Sequence, residues 1–328
     1  MKLAVHREAW PLAQAFTISR GSKTVAQTVM AEIQDGAFRG RGEGVPYGRY
    51  GETVEGVLAA IEAMAGAVAE GLDRDRLQEA MPPGAARNAL DAALWDLQAK
   101  REGKNIWRIA GIDPPRPLIT AFTLSLGLPE AMAAEARVNA ERPILKLKLG
   151  GDGDLDRVRA VRQAAPRPRL IVDANEGWTV EQLQAYPPEL AALGVELIEQ
   201  PLPAGKDEAL QDIARPVPIC ADESCHSRQD LPGLAGRYDC INIKLDKTGG
   251  LTEALALLEA AKAQGFRIMV GCLVGSSLGL APAVILAERA DFVDLDAPLL
   301  LARDRQPGLR YDGSTVYPPK APLWGASP

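Results

Sequence analysis

Residues 144–154 read ILKLKLGGDGD, a run in which two lysines alternate with aliphatic side chains. In a β-strand, residues i and i+2 share a face, so Lys146 and Lys148 point the same way while the leucines line the other face. A strand with one face in water shows the same alternation, so this stretch alone does not show whether the strand is buried on one face or on both. The neighbouring segments decide between a solvated strand and a buried one.

Eight short apolar runs, each followed by a turn and a helix-like segment, occur after Pro117: ITAFTLSL, ILKLKL, RLIVDAN, VELIEQP, PICADES, CINIKLD, RIMVGCLV and FVDLDAP. Polar residues within them recur at positions 148, 173, 199, 222, 244 and 294, with RIMVGCLV inside the last interval. This spacing predicts an α/β fold built as a parallel barrel rather than an open sheet. Both faces of a barrel strand are buried, so Lys146 and Lys148 are expected to project inward near the carboxyl-terminal rim, where barrel enzymes have their active sites.

The pattern of apolar runs, turns and helix-like segments divides the chain into three predicted parts. Residues 1–113 have the mixed pattern of a small α+β domain, and residues 114–310 carry the barrel pattern. We expect the C-terminal segment, 311–328, to pack back on the first domain.

Within the first domain, KLAVHREA and TVAQTVMAEI predict strands, and GAFRGRGEG predicts glycine-rich turns. The stretch GRGEG lacks the third glycine of a dinucleotide-binding motif and does not open a helix. Helices are expected around 53–70 and 84–101. In the second helix Leu90, Leu94 and Leu97 form one apolar stripe, and Gly103 suits a helix stop.

Composition excludes several function classes. The chain has 328 residues, a formal net charge of −6 and no basic block, which argues against nucleic acid or an anionic membrane as partner. The four cysteines lack paired C-x-x-C spacing and are expected to be reduced thiols, which disfavours zinc. The N-terminus MKLAVHREAW lacks the apolar core of a signal peptide, so we expect a cytoplasmic protein.

An uncharged run, IMVGCLVGSSLGLAPAVILA, extends from Ile268 to Ala287 and is long enough to span a bilayer. Gly-Ser-Ser-x-Gly lies in its middle and Pro282 follows closely. A buried strand, a turn and a packed helix therefore explain the run better than a membrane span.

Charged residues collect at the carboxyl ends of the predicted strands. Asp173, Glu199 and Asp222 end three consecutive strands, and their carboxylates would repel one another if they converged. A hard divalent cation relieves that repulsion, and an all-oxygen set suits one Mg²⁺ per subunit.

Lysine-bearing strands flank these three carboxylates, with Lys148 on one side and Lys244 on the other. This arrangement suggests acid/base chemistry on two faces of one carbon, as in a racemase or epimerase. Removing a proton next to a carboxylate requires an enediolate stabilised by the metal and a base held ready. The pKa of lysine is about 10.4 in water and must be lowered for the side chain to act as that base. The positive charges of Lys146 and of the cation would both lower the pKa of Lys148.

The motifs KLK, VDAN, IEQP, ADES and NIKLDK, in this order and spacing, resemble the enolase superfamily, in the branch of muconate cycloisomerases and dipeptide epimerases. The resemblance covers nearly the whole chain. It implies a modified TIM barrel, (β/α)₇β, with an N-terminal α+β capping domain. The mandelate racemase branch carries a histidine base at the seventh strand, and RIMVGCLVGSS contains no histidine, so that branch is disfavoured.

The resemblance also implies roles for individual residues. They are Mg²⁺ ligands at Asp173, Glu199 and Asp222, an acid/base pair at Lys148 and Lys244, and the first lysine of the K-x-K motif at Lys146. Asn175 and Asp246 share faces with Asp173 and Lys244 and are expected to be supporting residues. Glu223 and Lys247 are expected to face away from this site and to form structural ion pairs, and His226 is expected to be a loop residue.

Two further stretches address the substrate. In DLDAP, Asp294 and Asp296 share a face and offer a seat for an ammonium group, as the D-x-D of the dipeptide epimerases does. FTISRGSKT and PYGRYGET resemble the capping loops of L-Ala-D/L-Glu epimerases. That resemblance implies that Arg20 binds the glutamate side-chain carboxylate and that Tyr47 and Tyr50 shape a lid.

The leading hypothesis is a Mg²⁺-dependent dipeptide epimerase, with L-Ala-D/L-Glu of murein peptide metabolism as substrate and a two-lysine 1,1-proton transfer. The alternatives are an o-succinylbenzoate synthase or cycloisomerase on the same scaffold, an epimerase of another dipeptide class, and a catalytically silent barrel that binds an acidic metabolite. A homo-oligomer remains open, since members of the family commonly associate.

Overall fold

The computed structural model describes residues 1–325 and begins with a three-stranded antiparallel sheet. Its strands, in sheet order, are β1 (Lys2–Ile18), β2 (Gly21–Asp35) and β3 (Phe38–Gly44). Five helices follow: α1 (Val54–Glu62), α2 (Ala65–Ala69), α3 (Arg74–Ala80), α4 (Ala85–Glu102) and α5 (Ile106–Ile109). The two predicted strands and the two predicted helical regions are therefore present.

The glycine-rich stretch GAFRGRGEG was expected to form turns, and for most of its length this prediction is wrong because it forms strand β3. Its alternate glycines lie against helix α4. A Cβ atom on Gly42 would be 2.2 Å from the carbonyl oxygen of Ala89, and one on Gly40 would be 2.1 Å from that of Ala93. Glycine is required here because the helix backbone packs directly on the strand.

Helix α4 is the centre of the first domain. The predicted stripe of Leu90, Leu94 and Leu97 is buried in the core that the helix shares with the sheet. Gly103 ends the helix in the left-handed conformation, with φ of 61°. The opposite side of α4 contacts the second domain, since Trp95 donates a hydrogen bond from Nε1 to Thr252 Oγ1 at 3.0 Å.

The predicted α/β fold class is confirmed by a curled, eight-stranded parallel sheet. After a short strand β4 (Leu118–Ile119), the eight strands are β5 (Phe122–Leu124), β6 (Ile144–Lys148), β7 (Arg169–Asp173), β8 (Val195–Glu199), β9 (Ile219–Ala221), β10 (Cys240–Ile243), β11 (Arg267–Val270) and β12 (Phe292–Val293). They pair in chain order, and a backbone hydrogen bond from Ala121 N to Val293 O, 2.9 Å long, links the two ends of the sheet.

The interior of the curled sheet begins with one apolar layer. Each strand, or the residue just before it, contributes one member: Ala121, Ile144, Ile171, Leu197, Cys220, Cys240, Met269 and Phe292. Because side chains alternate along a strand, the next inward positions lie two residues further on. Five of those positions are charged, namely Lys146, Asp173, Glu199, Asp222 and Asp294, and Lys148 and Lys244 lie two residues further along the chain from the inward positions of β6 and β10.

Helices and turns cover the outside of the sheet. The helices are α6 (Pro129–Val138), α7 (Asp154–Ala164), α8 (Val180–Ala192), α9 (Leu231–Leu234), α10 (Leu245–Thr248), α11 (Leu251–Ala263), α12 (Ser277–Ala287) and α13 (Ala297–Leu300). The connection between β8 and β9 holds only a 3-10 helix, Glu208–Asp212.

The uncharged run from Ile268 to Ala287 divides as predicted into strand β11, a turn and helix α12, whose N-cap is Ser276. Among the helices of residues 1–325, none has the length and apolar character needed to cross a membrane. All four cysteines are free thiols, as expected.

The C-terminal segment contacts both domains. Strands β13 (Tyr311–Asp312) and β14 (Thr315–Val316) form an antiparallel sheet with β4. Further on, Trp324 Nε1 donates to Ala92 O on helix α4 at 3.0 Å. The domain boundaries at residues 113 and 310 stay a prediction.

The fit of β3 against α4 gives a testable prediction. Gly42→Ala places a methyl group inside the contact distance of the Ala89 carbonyl, and overpacking of this kind costs on the order of 3 kcal/mol. We expect a melting temperature several degrees below that of the wild type in a calorimetric scan. Gly66→Ala in helix α2 is the matched control, since a Cβ atom there meets nothing within 4 Å. Equal melting temperatures for the two variants would contradict the packing argument.

Candidate active site

Three carboxylates meet at the carboxyl-terminal rim of the curled sheet. Asp173 ends β7, Glu199 ends β8, and Asp222 directly follows β9. One oxygen from each lies within 4.8 Å of the others, and all three residues are buried. The parallel pairing of neighbouring strands brings these side chains together, as the sequence predicted.

Buried lysines surround the three carboxylates. Lys146 Nζ lies 2.6 Å from both Glu199 Oε2 and Asp294 Oδ2, and 3.3 Å from Asp173 Oδ2. Lys148 Nζ lies 2.6 Å from Asp173 Oδ2. On the far side, Lys244 Nζ lies 2.6 Å from Asp222 Oδ2. Since three strands separate β6 from the end of β10, Lys148 and Lys244 flank the carboxylates from opposite directions.

Burial and charge act against each other on these groups. Burial alone would lower the pKa of Lys244, but Asp222 and Glu199 outweigh it and hold that pKa well above its usual value. Burial would raise the pKa of Asp173, yet Lys148 and Lys146 bring it down to about 2. For Glu199, burial and the charge of Asp173 together raise the pKa to about 7. Glu199 therefore has the weakest hold on its negative charge.

The donor set fits a hard divalent cation. The carboxylates supply only oxygen ligands, which Mg²⁺ prefers. The buried atoms Glu199 Oε2 and Asp222 Oδ1 lie 2.6 Å from Lys146 Nζ and 2.8 Å from Lys247 Nζ, and among the described residues no neutral donor reaches either oxygen. A cation at this point would also favour the ionised form of Glu199.

A cavity of about 370 Å³ opens above the carboxylates, between the barrel rim and the loops of the first domain. Its floor includes Lys148, Asp222 and Lys244, and its walls include Arg20, Lys23 and Tyr47. Both candidate proton-transfer groups thus face one space that can hold a small molecule.

Arg20 lies at the cavity but is already engaged by the chain's own acidic groups. Its guanidinium donates to Glu223 Oε1 at 2.6 Å and to Glu176 Oε2 at 3.0 Å. It also donates to the hydroxyl of Tyr47 at 2.9 Å. The predicted contact with a substrate carboxylate would have to compete with two carboxylates of the protein.

The two lid tyrosines lie together. The rings of Tyr47 and Tyr50 meet edge to face, 5.1 Å apart, and the ring of Tyr50 meets that of His226 at 4.5 Å. His226 therefore lies in a loop that contacts the lid. Of these residues, Tyr47 lines the cavity.

Asp294 and Asp296 lie on the same rim but not among the described residues that line the cavity. Asp294 Oδ2 is paired with Lys146, and Asp294 Oδ1 is buried without a hydrogen bond. Asp296 Oδ2 accepts a hydrogen bond from Thr123 N at 2.7 Å. The ammonium seat predicted for this pair stays a prediction.

The other two supporting positions differ in location. Asn175 lines the cavity, and its backbone N–H donates to Asp173 Oδ1 at 2.9 Å. Asp246 instead contacts the first domain, accepting from Val45 N at 2.9 Å and from Asn88 Nδ2 at 2.8 Å. Burial raises the pKa of Asp246 to about 7. Its role is therefore to join the two domains near Lys244.

Glu223 and Lys247 were expected to face away from the site, and this prediction is wrong. Glu223 lines the cavity and binds Arg20, and Lys247 Nζ lies 2.8 Å from Asp222 Oδ1. Both follow the end of a strand, Glu223 after β9 and Lys247 within helix α10. Alternation along the strand therefore failed at these two positions, although it held for Asp222 and Lys244, which directly follow β9 and β10.

The sequence interpretation missed two residues of the site. Asn242 donates from Nδ2 to Glu199 Oε1 at 2.7 Å, and its position two residues before Lys244 could have revealed it. Lys23, near the start of strand β2, lines the cavity from the side of the first domain. Burial, together with the positive charges of Lys148 and Lys244, lowers the pKa of Lys23 to about 8. No periodic signal marks Lys23.

Known proteins of similar sequence include an epimerase and a racemase. An L-Ala-D/L-Glu epimerase of Escherichia coli K12 is 48% identical over 95% of this chain and 98% of its own length. An N-acetyl-D-glutamate racemase of a Pseudoalteromonas species is 44% identical over 91% of this chain and 95% of its own length.

Solved structures that share the fold over nearly the full length include two with a bound dipeptide. An enolase family member from Agrobacterium tumefaciens, with homology to dipeptide epimerases and bound to sodium and L-Ala-L-Glu, has a TM-score of 0.97 and 57% identity, covering 98% of this chain and 99% of that one. A dipeptide epimerase from Enterococcus faecalis, complexed with Mg and L-Leu-L-Tyr, has a TM-score of 0.90 and 29% identity, covering 99% and 98%.

Family profiles match both domains. Residues 1–111 match the mandelate racemase / muconate lactonizing enzyme N-terminal domain, and residues 130–326 match the enolase C-terminal domain-like family. The chain belongs to the mandelate racemase / muconate lactonizing enzyme family of the enolase superfamily.

Proposed function

We propose that the protein is a Mg²⁺-dependent epimerase that inverts the α-carbon of the C-terminal residue of a dipeptide, with L-Ala-D/L-Glu as its substrate. The observation that carries this proposal is the buried carboxylate triad with Lys148 and Lys244 facing one cavity from opposite sides. Relatives that act on L-Ala-D/L-Glu or bind L-Ala-L-Glu support the choice of substrate. We place this activity in murein peptide metabolism, in the cytoplasm.

Asp173, Glu199 and Asp222 would hold the cation, with the substrate carboxylate beside it. When bound, Mg²⁺ supplies positive charge that stabilises the carboxylate as the α-proton leaves and that favours the neutral form of nearby lysines. Asn242 holds Glu199 Oε1, and Lys247 holds Asp222 Oδ1, so the ligand side chains are fixed from behind.

Lys148 and Lys244 exchange protons with the α-carbon from its two faces. In one direction Lys148 removes the proton at its Nζ and Lys244 returns one from the other side; in the reverse direction the roles change. Inversion requires both groups, which distinguishes this reaction from a cycloisomerase or o-succinylbenzoate synthase that needs a single base.

Lys23 is our candidate for binding an acidic side chain of the substrate. It is a half-buried cation beside two other lysines, and the described ion pairs include no carboxylate partner for it. A substrate carboxylate beside Lys23 would offset the repulsion between its ammonium group and those of Lys148 and Lys244. Arg20, in contrast, is held by Glu223 and Glu176, and this favours a role in closing the cavity.

N-acetyl-glutamate is a second candidate substrate, because a 44% identical relative is named for it. The proton transfer would be the same, and the difference lies at the nitrogen substituent. Comparing turnover of L-Ala-L-Glu with that of N-acetyl-L-glutamate separates the two. A kcat/KM that is higher for N-acetyl-glutamate would overturn the dipeptide assignment.

The metal assignment predicts that Mg²⁺ raises the melting temperature of the EDTA-treated protein and restores its activity. Asp222→Asn should abolish both effects, because it removes one anionic ligand of the cation. Asp113→Asn, at an exposed position, is the control and should behave as the wild type. Full activity in EDTA would contradict a metal-dependent reaction.

The two-base reaction predicts distinct defects. Lys148→Ala and Lys244→Ala should each lower kcat for epimerisation by about 10³-fold, within the usual range for loss of a general acid or base. In D₂O each variant should still exchange the α-proton of one epimer and not of the other, measured by mass spectrometry. The exposed Lys104 provides a control, Lys104→Ala, with wild-type activity. Exchange of both epimers by a single-lysine variant would rule out the assignment of opposite faces.

The assignment of Lys23 predicts a charge-specific defect. Lys23→Met should raise KM for L-Ala-L-Glu by about tenfold or more, the value of one charged hydrogen bond, and leave KM for L-Ala-L-Leu unchanged. Arg20→Met should affect both dipeptides to a similar degree, because Arg20 is bound to the protein's own carboxylates. If only Arg20→Met raised KM for L-Ala-L-Glu selectively over L-Ala-L-Leu, then Arg20 and not Lys23 would bind the glutamate side chain.

A further inference from the structure

We propose that Gln200 is a positioning residue that fixes Asp222 relative to Glu199 and thereby sets the affinity of the site for its cation. This inference rests on the proposed function, because it requires that the carboxylate triad binds a cation. Gln200 follows Glu199 directly and is fully buried. It is not one of the three carboxylate ligands.

The side chain of Gln200 bridges the ends of two strands. Its Oε1 atom accepts hydrogen bonds from Asp222 N at 2.9 Å and from Ser224 N at 3.1 Å. The amide oxygen after β8 thus holds the backbone of the ligand after β9. A change at Gln200 would move Asp222 with respect to Glu199 without touching either carboxylate.

The amide nitrogen fixes the orientation of this bridge. Gln200 Nε2 donates to Leu202 O, Ser224 Oγ and the hydroxyl of Tyr238, each at 2.9 Å. The reversed amide would set its NH₂ group against the N–H groups of Asp222 and Ser224 and its oxygen against the Leu202 carbonyl, so the observed orientation is favoured. Asp207 accepts from the Tyr238 hydroxyl at 2.6 Å and from Ser224 Oγ at 2.7 Å, which anchors the network from behind.

The backbone of Gln200 is also unusual. Its φ of 32° lies in the left-handed region, which a residue other than glycine adopts only when its surroundings hold it there. Its N–H donates to Cys220 O at 2.9 Å, and its carbonyl accepts from Glu176 N at 2.8 Å. Main chain and side chain together connect the ends of β7, β8 and β9, the three strands that bring the ligands to the rim.

This position matters because Mg²⁺ demands near-ideal octahedral geometry and tolerates little displacement of its ligands. Gln200→Met keeps the length of the side chain and removes its hydrogen bonds. We expect it to raise the Kd for Mg²⁺ at least tenfold, measured by calorimetry on EDTA-treated protein well below the melting temperature. Gln200→Gly is compatible with the left-handed backbone and removes the side chain, so it should weaken Mg²⁺ binding at least as much. It replaces the methionine variant in this test if that variant does not fold.

A stability control separates positioning from folding. Asp73 caps helix α3 by accepting from Arg76 N, and Asp73→Ala should lower the melting temperature and leave the Kd for Mg²⁺ unchanged. Gln200 variants that bind Mg²⁺ as tightly as the wild type, with only a lower melting temperature, would overturn the inference and leave the proposed function intact. Failure of the wild type itself to bind Mg²⁺ would overturn both.

Discussion

The mutual repulsion of three buried carboxylates is the constraint on which the rest of this structure depends. Asp173, Glu199 and Asp222 bring negative charge into a space from which water is largely excluded. Such a group of charges is stable only with compensating positive charge. Lys146, buried among them, supplies part of this positive charge. A cation bound to the carboxylate oxygens would supply the rest, and it would stabilise a substrate carboxylate while the neighbouring α-proton is removed.

The first domain turns this charged rim into an enclosed site. Strand β3 packs on helix α4 through glycines, and helix α4 packs on the barrel, so the loops of the first domain reach the cavity from a fixed base. Asp246 joins the domains close to Lys244. The contacts of Arg20 with Glu223 and Glu176 then tie one loop to the rim. The first domain thus supplies part of the cavity wall, and the barrel supplies the lysines and the carboxylate that line its floor.

Regular strands made much of this predictable from the sequence. The alternation in ILKLKL and the spacing of the later strands predict the fold class, and they place Lys148, Asp173 and Glu199 at one rim. Prediction failed at several positions beyond the strand ends. Glu223 and Lys247 turn toward the site through loop and helix geometry. The left-handed backbone of Gln200 likewise has no signal in the alternation of the strands. Glycines in β3 resembled turn residues because sequence alone does not show the helix that packs against them.

The most direct test of the central claim is a crystal structure with Mn²⁺ in place of Mg²⁺ and with L-Ala-L-Glu bound, in which anomalous scattering locates the metal. The account predicts one ion per chain, with oxygen ligands from Asp173, Glu199 and Asp222, and Nζ atoms of Lys148 and Lys244 on opposite faces of the glutamate α-carbon. A metal bound elsewhere, or both lysines on one face, would contradict it.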